Sequence, residues 1–303
     1  MIIIAGSDGE GGGQTLHSAL TLACVTGRSV RIENVRGNRP RPGLMRQHLT
    51  ALQATTAICK AATVEASLGS RKVEFRPETL RNGSFEFAIA TAGSTSLVLQ
   101  TIFPALLSAR GESRVRISGD THNPAAPTFE FLQEAYIPAL RAMGHEISAD
   151  IQKYGFYPVG GGQIEVLIEP AQQLRALELE DRGTVLSRST EAVIANLSGS
   201  IAERELRACG NALEVPEAMR QITTRTSAGP GNVLYARLHY ENLSASFAEA
   251  GEHNVSAEQV AKRVAKSIRQ FANSDAAVTH RLADQLFVPL ADASRPRGLS
   301  LRH

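Results

Sequence analysis

The chain has 303 residues, of which 43% are hydrophobic and 20% charged, and its formal net charge is +2. That size and composition suit a globular protein with one large domain or two smaller ones, and no stretch approaches the ~20 apolar residues of a membrane span. The net charge names no partner, but its distribution does: Arg28, Arg31, Arg36, Arg39, Arg41 and Arg46 crowd one short region against Glu33 alone. Such a cluster suits phosphate recognition, although a solvated basic face reads the same way. Cys24, Cys59 and Cys209 have neither metal-ligand spacing nor a disulfide framework. Cys24 and Cys59 fall on apolar helical patterns as buried thiols, and a reducing cytoplasm fits them. Met1 leads straight into an apolar strand pattern, without a basic leader.

Ile2-Ile3-Ile4-Ala5 predicts a strand, and Thr15 to Thr26 a helix with Leu16, Ala19, Leu20 and Ala23 on one face. Between them runs Gly6-Ser7-Asp8-Gly9-Glu10-Gly11-Gly12-Gly13-Gln14. A strand, a glycine turn and a helix start in that order let backbone N–H groups face an anion. Glu10 is out of place there, because a carboxylate repels phosphate unless a divalent cation lies between them. The stretch therefore reads as a nucleotide-phosphate and metal site, with a plain strand-to-helix turn as the alternative. A second block, Gly155 to Gln163, repeats the Gly-Gly-Gly-Gln ending 149 positions later. A strand follows it instead of a helix, so it is expected to be a backbone crossing rather than a ligand site.

Val30 to Val35 predicts a second strand. Residues 36–43 form a loop, since their prolines and glycines exclude regular pairing. A helix is expected from Leu44 to about Ala62, with Arg46, Gln47 and His48 carrying the basic loop onto a helix N-terminus. Strands at Lys72–Phe75 and Phe85–Thr91 complete the unit. The order then recurs: Ala92-Gly93-Ser94-Thr95-Ser96 opens a helix bearing Leu97, Leu99, Gln100 and Ile102, followed by a strand at Arg114–Ser118, a helix at Phe129–Met143, and strands at His145–Ile151 and Gln163–Ile168. Two such units predict small sheets, each with two helices on one face, packed helix-side inward.

After Glu169-Pro170 a polar connection, 171–183, leads to a strand near Ala192–Leu197, a helix at Ala202–Leu213 and strands at Val233–Tyr240 and Ser244–Ala250. Ser256 and Gln259 form a capping box, ahead of a helix with Val260, Val264, Ile268 and Phe271 as its buried stripe. Residues 179–273 are thus expected to be a small inserted α/β domain within a large domain of 1–178 and 274–303. The last helix spans Val278 to Leu290, and the aperiodic tail 292–303 is expected to be disordered.

Five blocks carry a family resemblance. They are Gly9-Glu10-Gly11-Gly12-Gly13-Gln14; Arg39-Pro40-Arg41-Pro42-Gly43-Leu44-Met45-Arg46-Gln47-His48-Leu49; Phe87 to Gln100 with Asn123-Pro124-Ala125-Ala126-Pro127; Gly155 to Gly162; and Leu282-Ala283-Asp284-Gln285-Leu286. In that order they resemble the RNA 3′-terminal phosphate cyclases over nearly the whole chain. The resemblance implies an α/β (α+β) fold: a large domain of repeated units, each two helices on a four-stranded sheet, plus a small inserted α/β domain, with the C-terminal repeat incomplete here. It implies an ATP-dependent ligase-class reaction in the cytoplasm, converting an RNA 3′-terminal phosphate to a 2′,3′-cyclic phosphate through adenylylated histidine and RNA-adenylate. Glu10 would hold Mg2+ or Mn2+. Arg39, Arg41, Arg46 and Gln47 would grip the triphosphate and the RNA-end phosphate. Gln100, Arg281, Leu282, Ala283, Asp284 and Gln285 would line the ATP pocket, while His48 is expected to be packed rather than catalytic.

Departures accompany the match. His17 stands where the family usually has an arginine, and Tyr154 where it usually has a basic residue. The nucleophilic histidine belongs to a motif expected beyond His303, so no catalytic residue is assigned within the chain; His303 lacks that motif. Losing part of a repeat would expose an apolar helix face near Leu282–Leu290. A non-catalytic cyclase-like RNA-binding or ribosome-assembly factor is the alternative, opposed by the presence of Glu10, Gln100 and Asp284. A small-molecule transferase of similar repeats is disfavoured by the Gly155–Gly162 block.

Overall fold

The computed structural model describes residues 1–89, 93–124 and 126–293. It is a mixed α/β structure with three four-stranded mixed sheets. The first sheet has the order β1 (Ile2–Ala5), β2 (Val30–Glu33), β4 (Val73–Arg76), β3 (Ala62–Val64). The second has the order β5 (Gly83–Ala88), β6 (Ser113–Gly119), β8 (Gly162–Glu169), β7 (Glu146–Lys153). Both repeat one pattern: the first pair is parallel and the next two are antiparallel.

Period-two alternation decides which face is buried. Val115 and Ile117 of β6 and Ile164, Val166 and Ile168 of β8 are fully buried. Between them on the other face, Arg114 and Arg116 reach Glu165 across the β6–β8 pair. Helices α1 (Gln14–Thr26) and α2 (Arg46–Cys59) lie with the first sheet, and α3 (Thr95–Leu107) belongs to the second. All three meet, and α3 is apolar and buried nearly all round because it is enclosed by helices as well as by its sheet. The two sheets and these helices therefore share one core, in which Leu20, Leu52, Phe75, Ile102 and Phe103 are closed to solvent.

A helical stretch follows: α4 (Phe129–Phe131), a π-helical turn at Leu132–Tyr136 and α5 (Ile137–Ala142). The third sheet has the order β10 (Arg220–Thr224), β9 (Val185–Ala195), β11 (Gly231–Tyr240), β12 (Ser244–Ala250). Helices α6 (Gly199–Ala212) and α7 (Ala257–Ala272) pack on it around a separate core that includes Leu206, Leu234 and Val264. It is tied to the second unit by Tyr235, whose hydroxyl donates to Glu130 Oε2 at 2.5 Å, and by Arg237, which pairs with Glu134 at 2.7 Å. The third sheet has its own core and meets the second unit through these polar contacts and through an apolar cluster of Phe156, Val193, Ala195, Val233 and Tyr235, while Leu179 packs against the first core.

Helix α8 (His280–Ala293) returns to the first core through Leu282 and Leu286. Phe287, on its outer side, is 73% exposed. The tail from 294 lies outside the described residues. Two strands escape the sequence pattern, β3 and β10, and α2 ends at Cys59 rather than near Ala62 because Lys60 takes a left-handed conformation (φ +48°). Among the described residues no helix is long and apolar enough to cross a membrane.

Candidate functional site

The site is built where two helix N-termini meet two loops. Beyond β1, the Gly6 N–H donates to Glu33 O, and Gly11 N–H donates to Asp8 O at 3.0 Å, so the chain turns tightly before α1. Gly11 has φ +56°, and a Cβ there would overlap the Asn38 side chain. A Cβ on Gly13, the N-cap of α1, would overlap His48 Nε2. The glycine loop can therefore lie directly on the arginine loop. Asn38 Nδ2 fastens the two by donating to Ser7 O at 2.8 Å.

Within the arginine loop, Arg36 donates to Arg41 O at 2.6 Å and to Gly43 O at 3.2 Å. Burial, and then the Arg39 charge, lower the Arg36 pKa below its ordinary value. Arg39 reaches back to Glu10 with 3.5 Å between NH2 and Oε2. These groups surround a cavity of about 770 Å³, lined by Gly13 and Gln14 from α1, by Arg36, Arg39 and Arg41, by Arg46, Gln47 and His48 from α2, and by Leu97 from α3. Gly13 caps α1 without a side-chain bond, so that terminus presents unsatisfied N–H groups. Guanidinium groups and helix N-termini together make a wall of donors that suits phosphate oxygens.

Two buried histidines form part of this wall. Burial depresses His17 to about 4. Burial, then the proximity of His17 and of Arg36, depresses His48 to about 3. Both are neutral near pH 7, with ring centroids 5.5 Å apart. Hydrogen bonding fixes their tautomers. Thr101 Oγ1 donates to Leu97 O, so it accepts from His17 Nδ1 at 2.7 Å, which leaves His17 Nε2 with a lone pair. Met45 N–H donates to His48 Nδ1 at 3.2 Å, which puts the His48 proton on Nε2.

The structure gathers Arg39, Arg41, Arg46 and Gln47 around one cavity, with Glu10 joined to it through Arg39. It does not bring Arg281 to Gln285 there. They lie on α8, which packs against α3. Leu282 is a core residue, Ala283 and Asp284 are exposed, and the Arg281 guanidinium stands 5.9 Å from the centroid of the Phe131 ring, beside a second cavity of about 380 Å³. Gln100 sits one turn beyond Leu97, with its amide nitrogen buried and unpartnered. His48 is packed, 5% exposed, yet its ring also lines the cavity. Arg36 and His17 are site residues that the sequence signalled only as one member of a cluster and as a departure from a pattern. His303 lies outside the described residues. The Gly155–Gly162 block is a crossing of backbones: Thr121 and His122 N–H both donate to Gly155 O, and a Cβ on Gly155 would overlap Gly162.

Among the described residues no group of three or more His, Cys, Asp or Glu side chains could hold a metal. A cation at the lone Glu10 carboxylate would take its other ligands from phosphate and water, which is the habit of Mg2+.

Comparison with known proteins matches residues 8–299 to the family model described as RNA 3′-terminal phosphate cyclase. A protein of that name from Koribacter versatilis is 46% identical over 292 residues, covering 96% of this chain and 82% of its own length. Another of the same name, from Pseudomonas fluorescens, is 45% identical over 282 residues, covering 93% of this chain and 82% of its own length. A crystal structure of the enolpyruvyl transferase NikO from Streptomyces tendae, 15% identical, covers 78% of this chain and 44% of its own with a TM-score of 0.29, too low to carry an argument. With an arginine-lined cavity behind its glycine loop and relatives this similar, the chain belongs to the RNA 3′-terminal phosphate cyclase family.

Proposed function

We propose that the protein converts an RNA 3′-terminal phosphate into a 2′,3′-cyclic phosphate at the expense of ATP, in the cytoplasm. The observation that carries the reading is the convergence of four arginines and the N-termini of α1 and α2 on one cavity, with Glu10 at its rim. In this reading a histidine attacks the α-phosphorus of ATP and expels pyrophosphate. A terminal phosphate oxygen of the RNA then takes the AMP from the histidine. The 2′-oxygen finally attacks the 3′-phosphorus, forming the cyclic ester as the bond to AMP breaks and the hydroxyl proton is released. None of the described histidines is assigned the nucleophilic role.

The residues of this chain divide the remaining work. Arg39, Arg41, Arg46 and Gln47 grip the triphosphate and the RNA terminal phosphate, and the three arginine charges offset those of the phosphate groups brought together. Glu10 would hold Mg2+, which would supply charge neutralisation to phosphate oxygens. Gln100 on α3 and Arg281, Ala283, Asp284 and Gln285 on the neighbouring α8 serve the nucleotide, with Leu282 fixing α8 to the core.

The test is to incubate the full chain with a 3′-phosphorylated oligoribonucleotide, ATP and Mg2+. The reading expects the terminal phosphate to become phosphatase-resistant as AMP and pyrophosphate appear, and ATP with Mg2+ to raise Tm. An unchanged terminus together with an unchanged Tm contradicts it and favours a purely RNA-binding role.

A further inference from the structure

Most polar groups around the arginine cavity are donors, Gln14 and Gln47 can both give and accept, and one buried acceptor, His17 Nε2, has no partner. Guanidinium groups, helix N–H groups and the His48 Nε2–H can only give hydrogen bonds. With the Thr101 Oγ1 proton assigned to Leu97 O at 2.8 Å, Oγ1 accepts from His17 Nδ1 at 2.7 Å and His17 Nε2 is left as an acceptor. The residue is 6% exposed, and Nε2 has no partner. A buried acceptor left unpaired costs free energy that a ligand donor would recover. Phosphate oxygens bring no donor at neutral pH, so the matching group is a hydroxyl held beside a phosphate.

We infer that His17 Nε2 accepts a hydrogen bond from the 2′-hydroxyl of the terminal ribose when the arginines hold its 3′-phosphate. The inference rests on the function proposed above and adds a ribose-sensing group to it. The hydroxyl and the phosphate are vicinal on one sugar, so seating the phosphate among the guanidinium groups carries the hydroxyl to the same wall. Nε2 is closed to solvent in this structure, so the inference requires the neighbouring His48 ring to give way when the RNA end binds. That ring is tilted 39° from His17, and its Nδ1 accepts from Met45 N–H at 3.2 Å. Thr101 acts through His17 as a positioning residue, since it sets the tautomer. An arginine at position 17 could supply only another donor.

The experiment measures binding by fluorescence anisotropy on the full chain, without ATP, so it does not depend on turnover. The probes are short oligoribonucleotides with a 3′-phosphate that differ only in their last sugar, ribose or 2′-deoxyribose. The inference expects the deoxy end to bind about 3- to 10-fold more weakly, the worth of one hydrogen bond. His17→Leu should erase that difference and His17→Gln, which keeps an acceptor, should retain part of it. If the leucine variant does not fold, the wild-type comparison decides alone. Equal binding of the two ends, with 3′-phosphate still preferred over 3′-hydroxyl, overturns this inference and leaves the proposed function standing. No preference for the 3′-phosphate overturns both. A His17-dependent preference for ATP over 2′-deoxy-ATP, with no discrimination between the RNA ends, assigns the acceptor to the nucleotide instead and overturns the inference.

Discussion

Glu10 Oε2 lies 3.5 Å from Arg39 NH2 in an ion pair that joins the glycine loop to the arginine loop, with side chains 92% and 45% exposed. An exposed pair contributes about 0–1 kcal/mol, so it holds the loops in register without committing either charge. Glu10→Gln should therefore cost less than about 1 kcal/mol in a thermal melt. It should also abolish the Mg2+ dependence of binding to 3′-phosphorylated RNA. A magnesium response that survives the substitution would remove Glu10 from the metal role.

Two glycine substitutions in the same loop should behave differently. At Gly9 (φ +60°) nothing lies within 4 Å of an added Cβ, so Gly9→Ala carries only backbone strain, about 1–2 kcal/mol. At Gly13 the added Cβ meets the His48 imidazole, so Gly13→Ala should cost about 1–3 kcal/mol through overpacking and also displace the cavity wall. Melting curves and RNA binding measured side by side check this: both variants lose stability, and only Gly13→Ala loses most of its affinity.

Acid should destabilise the protein through its histidine pair. His17 titrates at about 4 and His48 at about 3 in the folded chain, both depressed chiefly by burial. In the unfolded chain each titrates near ~6.5, so on acidification the unfolded state takes up the protons first. The stabilisation is complete above the unfolded value and is lost as the pH falls from there toward the folded values. The slope should be ~1.4 kcal/mol per pH unit for each histidine. Denaturant melts between pH 7.5 and 4.5 measure it: Glu205 and Asp120, raised by burial to about 7 and about 6, oppose the histidines over the same range, and His48→Gln should lower the slope by ~1.4 kcal/mol per pH unit relative to the unsubstituted chain. A profile unchanged by the substitution would contradict the assignment.

The seam between the second unit and the inserted sheet depends on Glu130, whose carboxylate accepts from the Tyr235 hydroxyl at 2.5 Å and lies 3.2 Å from His122 Nε2. Burial works to raise its pKa, but the His122 charge and these bonds outweigh that and hold it below the ordinary carboxylate value. Tyr235→Phe removes a donor to a buried charge and should cost about 1.5–3 kcal/mol. Hydrogen exchange should quicken along β11 and at the π-helical turn before it changes in β1 or β2. Uniform quickening would mean that the seam is not a separate unit of stability.

Much of the fold was legible because it rests on local patterns. Alternation marked β6 and β8, the 3.6-residue period marked α1, and Ser256 with Gln259 marked the start of α7, where both capping bonds form. Elements set by pairing were not legible: β3 has only three residues, and β10, Arg-Gln-Ile-Thr-Thr, has a single large apolar residue, Ile222, which is exposed. β9 begins at Val185, earlier than expected near Ala192, because residues 187–191 are a continuous polar run ordered by pairing with β11 and, at Thr190 and Glu191, with β10. The site divides in the same way. Its arginines and glycines advertise themselves by composition, whereas the accepting role of His17 depends on Thr101, 84 positions away, and on the proton that Thr101 gives to Leu97.

The account depends most directly on the arginine cavity recognising a terminal phosphate. The deciding measurement is the affinity of the full chain for one oligoribonucleotide ending in a 3′-phosphate or in a 3′-hydroxyl, titrated over a range of salt concentrations. The account predicts tighter binding of the phosphate end, a preference lost in Arg39→Ala, and a log–log salt slope smaller by ~0.7 for that variant. Equal affinity for the two ends, or a preference untouched by Arg39→Ala, would contradict it.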